Sequence, residues 1–271
     1  MSTKVQAVFF DLGDTLTRTR QEIVANICKV IGNNRNKPLE QIEYLTTFQS
    51  EWKKRQKPLD KELIKSVISP KDEVFYWNNF FVSLLTNLDV HTDRKAIAKN
   101  LAIIHSDARS FECFDDVHTV LADFKTRGLK LGMISNAFPS ALEIINLLNL
   151  RQYFDYVLLS YEFKYIKPEP EIYRFAVKAL NVDLENSIFI DDRWAFVKAA
   201  LQLGMDAYLI DRIAPIKKDI KTSSFVPRVS DLFDLRNRIL MSNKQPDQIP
   251  FFLENNRLRD SSPLWTAAIS A

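Results

Sequence analysis

The chain has 271 residues, 46% of them hydrophobic, 26% charged and 11% aromatic, with a formal charge of +3 from 37 basic and 34 acidic side chains. That composition excludes a disordered, collagen-like or coiled-coil chain, and the length suits one large domain or a core with a smaller inserted one. The small charge excess gives no ground for a nucleic-acid partner.

Two cysteines, Cys28 and Cys113, are too few for a disulfide framework and match no metal-ligand spacing. They are expected as ordinary buried thiols in a reducing compartment. The first apolar run, Ala7-Val8-Phe9-Phe10, stops at Asp11, so neither a signal peptide nor a membrane anchor is expected. No apolar stretch approaches the ~18–20 residues of a spanning helix, and the expectation is a soluble cytoplasmic protein without a membrane partner.

Val5 to Phe10 reads as a buried strand ending at Asp11. From about Arg18 to Arg109 the pattern is helical, with apolar residues at helix spacing over 22–31, 39–52, 73–88 and 94–105 and no convincing strand between them. Pro38, Pro58 and Pro70 break this block, and Gly32 is expected just past the end of its first helix. Val74-Phe75-Tyr76-Trp77 and Phe80-Phe81 are expected to form its core. The block holds 16 basic and 11 acidic side chains between residues 17 and 110, and the run Lys53-Lys54-Arg55-Gln56-Lys57 reads as a solvated helix end.

After residue 110 strands and helices alternate. Strands are expected at 130–134, 156–159, 188–190 and 207–210, and helices at 117–125, 139–148, 171–180, 194–203 and 231–241. Such alternation implies right-handed crossovers and a doubly wound α/β fold, a mostly parallel sheet covered on both faces. The predicted organisation is a core of residues 1–16 and 111–241, an inserted all-helical unit of 17–110, and a tail of 242–271, polar with isolated Phe251, Phe252 and Trp265 and expected to be poorly ordered.

Ligands bind at the carboxyl ends of the strands in an open parallel sheet. The residues there are Asp11-Leu12-Gly13-Asp14-Thr15-Leu16, Ser135-Asn136, Lys167 and Asp191-Asp192. Together they would supply carboxylates from two strands, a hydroxyl, an amide and an ammonium. Neighbouring carboxylates resist ionisation unless a cation sits between them, and a hard ion such as Mg²⁺ meets that need while attracting a phosphate oxygen. Ser135, Asn136 and Lys167 offer donors to the remaining phosphate oxygens, and an Asp can attack phosphorus directly. The chemistry suggested is phosphoryl transfer on a small phosphorylated molecule.

These segments resemble the four motifs of the haloacid dehalogenase-like (HAD) hydrolase superfamily, in the branch with a helical cap. Phe9-Phe10-Asp11-Leu12-Gly13-Asp14-Thr15-Leu16 resembles the first and Met133-Ile134-Ser135-Asn136 the second. Lys167-Pro168-Glu169-Pro170-Glu171-Ile172-Tyr173 resembles the third, and Ile188-Phe189-Ile190-Asp191-Asp192, running on to Met205, the fourth. The resemblance covers residues 4 to 240 and implies a Rossmann-like core with an inserted helical cap. It implies Asp11 as nucleophile and metal ligand, with the Gly13 carbonyl, Asp192 and Asp191 completing a Mg²⁺ site. Thr15 and Ser135 would hold the phosphoryl group, Lys167 would steady Asp11, and Asn136 would shape its loop and bind substrate.

Three departures stand out. Phosphatases of the family carry a second Asp two residues after the nucleophile, which protonates the leaving group. Here that position is Gly13, with an acid one place later at Asp14. The family's dehalogenases also lack that Asp, because a halide leaves unprotonated. A slow phosphatase, a metal-independent dehalogenase and a non-catalytic binding protein therefore all remain readings of this motif. Phe196 and Val197 stand where a supporting Asp or Asn is usual, and Lys164, near Tyr161 and Tyr165, replaces a small residue.

Overall fold

The computed structural model describes residues 5–35, 37–55, 62, 64–163, 165–212 and 226–242. Gln56, Lys57, Pro58, Lys164 and the tail beyond Ser242 lie outside the described residues.

Strand β1 (Ala7–Phe10) is the centre of the molecule, and all four of its residues are fully buried. Alternating side chains point to opposite faces of a strand, and here each face has its own core. Val8 and Phe10 pack with helices α5 (Val117–Thr126) and α6 (Ser140–Leu147), while Ala7 and Phe9 pack with α7 (Pro170–Ala179) and α8 (Trp194–Gln202). A strand buried on both faces has no polar alternation, which is why this run is continuously apolar.

β1 is flanked by β4 (Lys130–Ser135) and β6 (Ser187–Asp191). Outside these lie β5 (Tyr156–Leu159), β7 (Asp206–Ile210) and β8 (Arg228–Val229), giving a parallel sheet in the order β5-β4-β1-β6-β7-β8. The register pairs Phe10 with Met133 on one side and Ile190 on the other, so the carboxyl ends of β1, β4 and β6 finish level. Helix α9 (Leu232–Ser242) packs on the Val8 and Phe10 face through Leu232, Leu235 and Ile239.

Among the described residues the helical insertion includes α1 (Gln21–Asn34), α2 (Gln41–Lys54), α3 (Pro70–Asn87) and α4 (Arg94–Ser106), with a separate core that includes Ile31, Trp77, Phe80, Phe81, Leu84 and Leu101. Pro70 occupies the first turn of α3, where a missing N–H costs nothing. Ser69 and Asp72 close a reciprocal capping box in front of it.

Several expectations change. Thr17–Thr19 forms a strand, β2, pairing antiparallel with β3 (Phe111–Cys113), so the chain leaves and re-enters the core side by side. Helix α1 runs through Gly32 to Asn34 instead of stopping before it. The use of that glycine is close approach: a Cβ there would lie 3.3 Å from the Leu39 nitrogen. Phe75 is 67% exposed and outside the insertion's core, and Cys113 is only partly buried. Among the described residues no helix is long and apolar enough to cross a membrane.

Two stability predictions follow from this packing. Gly132 lies opposite Phe9, and a Cβ on it would fall 2.3 Å from Phe9 Cδ1, inside a central strand that cannot retreat. Gly132→Ala is expected to cost about 1–3 kcal/mol in denaturant unfolding.

His105 packs among the rings of Trp77, Phe48, Phe81 and Phe111, and burial pushes its pKa down to about 4 from 6.5. The unfolded chain then binds the extra proton, so stability is lost as pH falls from 6.5 toward 4. The loss is at most about 2 kcal/mol between pH 7 and pH 5. His105→Phe should flatten the melting-temperature profile over that range.

Candidate active site

Adjacency of β1 and β6 places Asp11, just past β1, beside Asp191, the last residue of β6. Both are buried. Lys167 enters from the loop between β5 and α7 and fills the space between them. Its Nζ lies 2.6 Å from Asp11 Oδ1 and 2.6 Å from Asp191 Oδ2, with no exposed side-chain surface. Ser135, ending β4, donates to the same Asp11 Oδ1 at 3.2 Å. The rings of Phe196 and Phe189 stand 5.0 and 5.4 Å from the ammonium, an apolar wall that holds it by cation–π attraction.

Asn136 is tied to the Lys167 loop. Its Oδ1 accepts from the Lys167 backbone N–H at 2.7 Å, and its Nδ2 donates to the Lys167 carbonyl at 2.9 Å. Each atom keeps one further hydrogen-bonding position, a second N–H on Nδ2 and a second lone pair on Oδ1.

The site carries more negative than positive charge. Burial, then the Asp11 charge, push Asp191 up to about 6 in spite of Lys167. Burial, then Asp191, Asp14 and Asp11, hold Asp192 well above the usual carboxylate range. Asp14 is likewise pushed up to about 6, by desolvation first and by Asp11 next. Asp14 itself is exposed. Burial pulls Lys167 down, but the Asp11 and Asp191 charges and hydrogen bonds outweigh it and leave the ammonium above the ordinary lysine range.

One carboxylate oxygen each from Asp11, Asp191 and Asp192 lies within 4.8 Å of the others. Such an all-oxygen, surplus-negative donor set fits a hard divalent cation. The Gly13 carbonyl, also expected as a ligand, receives no backbone donor among the described residues. Thr15 is fully buried, and its hydroxyl has no hydrogen-bond partner there. Asp14 takes a left-handed conformation at φ 55° and donates its N–H to the Thr17 carbonyl, so its side chain leaves the loop on a different course from that of residue 13. At Gly13 an added Cβ would meet nothing within 4 Å.

The model of the haloacid dehalogenase-like hydrolases matches residues 5–204. The chain belongs to this family. Phosphatase MT3486 of Mycobacterium tuberculosis is 34% identical over 101 residues, which is 36% of this chain and 46% of that protein. The glyceraldehyde 3-phosphate phosphatase of Pyrococcus abyssi is 26% identical over 208 residues, covering 74% of this chain and 79% of that one. The first two curated relatives are matched over only about half of their length, at 46% and 56%. The solved L-2-haloacid dehalogenase of Xanthobacter autotrophicus shares the fold, with a TM-score of 0.61 at 19% identity over 87% of this chain and 98% of that one. This member of the HAD-like family is thus similar in sequence to the phosphatases and in fold to a dehalogenase.

Sequence reasoning missed the contacts by which the insertion grips the site. Glu73, in the first turn of α3, is 2% exposed and accepts from the Ser140 N–H at 2.8 Å and the Ser140 hydroxyl at 2.6 Å. Burial pushes its carboxyl up in spite of those donors. Phe138, two residues past Asn136, joins the insertion's core, 4.8 Å from the Tyr76 ring. Lys65 pairs at 3.2 Å with Glu169, whose other oxygen accepts from the Ile166 N–H beside Lys167. No sequence signal singles out Glu73, because Lys71 and Asp72 are charged in the same first turn.

Lys167→Met should cost about 3–5 kcal/mol in urea unfolding without divalent ions, because it leaves Asp11 and Asp191 facing each other unpaired. Asp191→Asn should cost less, since Lys167 keeps Asp11.

Proposed function

We propose that this protein is a Mg²⁺-dependent phosphatase acting on a small phosphate monoester through an aspartyl-phosphate. The observation that carries the reading is the convergence at Asp11: its Oδ1 is held by Lys167 and Ser135, and Asp191 and Asp192 stand within cation-sharing distance. The low-identity phosphatase relatives support the same class.

Asp11, Asp191 and Asp192 are the residues that would hold the ion, which when bound neutralises their charges and polarises a phosphoryl oxygen. The chain's own groups do the rest. Lys167 and Ser135 fix one oxygen of Asp11, and the other, Oδ2, attacks phosphorus. The P–O ester bond breaks, and the departing alkoxide takes its proton from water, because residue 13 has no acid. Water then attacks the aspartyl-phosphate, releasing phosphate and restoring Asp11. The Thr15 hydroxyl, which has no partner among the described residues, donates to a phosphoryl oxygen, offsetting its charge in a confined site. The helical insertion, held by Glu73 and Lys65, acts as a cap that limits water and selects the alcohol group.

The second reading, metal-independent cleavage of a carbon–halogen bond, is favoured by Gly13, since a halide leaves without a proton. A chelator separates the two, since only the phosphatase should lose activity.

Hydrolysis of p-nitrophenyl phosphate should require Mg²⁺ and disappear in Asp11→Asn. Gly13→Asp fits without a clash and should accelerate esters of poor leaving groups by about 10²–10⁴-fold while changing p-nitrophenyl phosphate little. Chelator-resistant release of halide from a 2-haloacid, with no phosphate release, would reverse the assignment.

A further inference from the structure

Arg212 lies two residues past β7 and beyond the part of the chain that matches the family. Its side chain is 6% exposed. Its Nε and Nη2 both donate to the carbonyl of Thr15, at 3.0 and 2.9 Å. Its Nη1 lies 2.6 Å from Asp116 Oδ2, and the guanidinium sits over the Phe114 ring at 4.3 Å. All three guanidinium nitrogens and one face are therefore used inside the protein.

The partners of this group converge on the nucleophile loop. Phe114 donates its N–H to the Leu16 carbonyl, and Asp116 Oδ2 also accepts from the N–H of Leu232, the first residue of α9. Within the loop, the Leu16 and Thr17 N–H groups both point back to the Leu12 carbonyl. The loop is thus tied internally at Leu12 and externally at Thr15, where the tie is a planar fork on a single oxygen. A fork of this kind fixes orientation as well as distance. On the same residue, the buried hydroxyl of Thr15 has no partner among the described residues, although buried polar groups nearly always find one.

We propose that Arg212 is a positioning residue: by clamping the Thr15 peptide it keeps the Thr15 hydroxyl aimed at the phosphoryl group and links the nucleophile loop to α9. The inference rests on the phosphatase reading for the ligand, and on geometry alone for the clamp. A salt bridge serving only to fasten α9 would need Asp116, and the fork onto Thr15 would be superfluous.

The test is a double-mutant cycle with Arg212→Met and Thr15→Val, read as kcat and KM for p-nitrophenyl phosphate with Mg²⁺. Arg212→Lys serves as the conservative variant, and amide exchange of residues 11–17 is followed in each protein. In the wild-type background Arg212→Met should lower kcat/KM by about tenfold to a hundredfold, the scale of a slightly misplaced contact. In the Thr15→Val background it should cost less than about twofold, because the two residues act as one unit. Arg212→Lys should recover part of the loss, and exchange should quicken at Thr15–Thr17 but not along β4.

Equal losses in both backgrounds, or a lower melting temperature with kcat/KM unchanged, would overturn the proposal. If the wild type hydrolyses no phosphate ester, the phosphatase reading fails. The exchange measurement then still decides the clamp, which unchanged exchange at Thr15–Thr17 would refute.

Discussion

An ammonium with no exposed surface stands between two buried carboxylates, and the rest of the molecule is arranged around that contact. Lys167 lies 2.6 Å from both Asp11 and Asp191. Burying three ions is costly, and their attraction repays the cost only when the geometry is fixed. Each ion is therefore carried by a different rigid element. Asp11 follows β1, Asp191 ends β6, and Lys167 is locked to Asn136 through two hydrogen bonds. Truncating Lys167 leaves both carboxylates uncompensated, so the site and the stability of the sheet are not separable.

The same constraint explains the direction of the chemistry. One lysine does not balance Asp11, Asp191 and Asp192, and the surplus negative charge asks for a cation. Phe196, which stands where the resembled motif usually has an Asp or Asn, packs against the Lys167 ammonium. The aromatic face favours the charged lysine while excluding water from it. Gly13, by contrast, opens space without filling it, and the loop geometry is not what prevents an acid there.

Much of this was legible in the sequence because it follows local rules. The strands that end at Asp11, Ser135 and Asp191 are short apolar runs stopped by polar residues, and that pattern gives both their positions and the edge at which they finish. What was not legible depends on distant pairing. The Thr17–Thr19 and Phe111–Cys113 ladder has only three residues on each side and no alternation long enough to read, since pairing across about 94 residues defines it. Gly32 looked like a helix end because glycine commonly follows one, but close approach of the Leu39 backbone decided its use. Arg212 was beyond reach for the same reason: its role is set by a partner at Thr15 that no spacing rule connects.

The insertion is joined to the core at the loops that carry the chemistry. Phe138 sits in the insertion's aromatic core, Glu73 holds Ser140, and Lys65 holds Glu169. Motion of the insertion must therefore pull on the loops of Ser135 and Lys167 together. The central claim is that the surplus carboxylate charge beside Lys167 creates a divalent-cation site, and calorimetric titration of the substrate-free protein with Mg²⁺ tests it most directly. The account predicts one ion bound per chain, with binding lost in Asp192→Asn and retained in Asp206→Asn, whose carboxylate lies at the opposite end of the sheet. Absence of binding to the wild type, or equal affinity in Asp192→Asn, would contradict it.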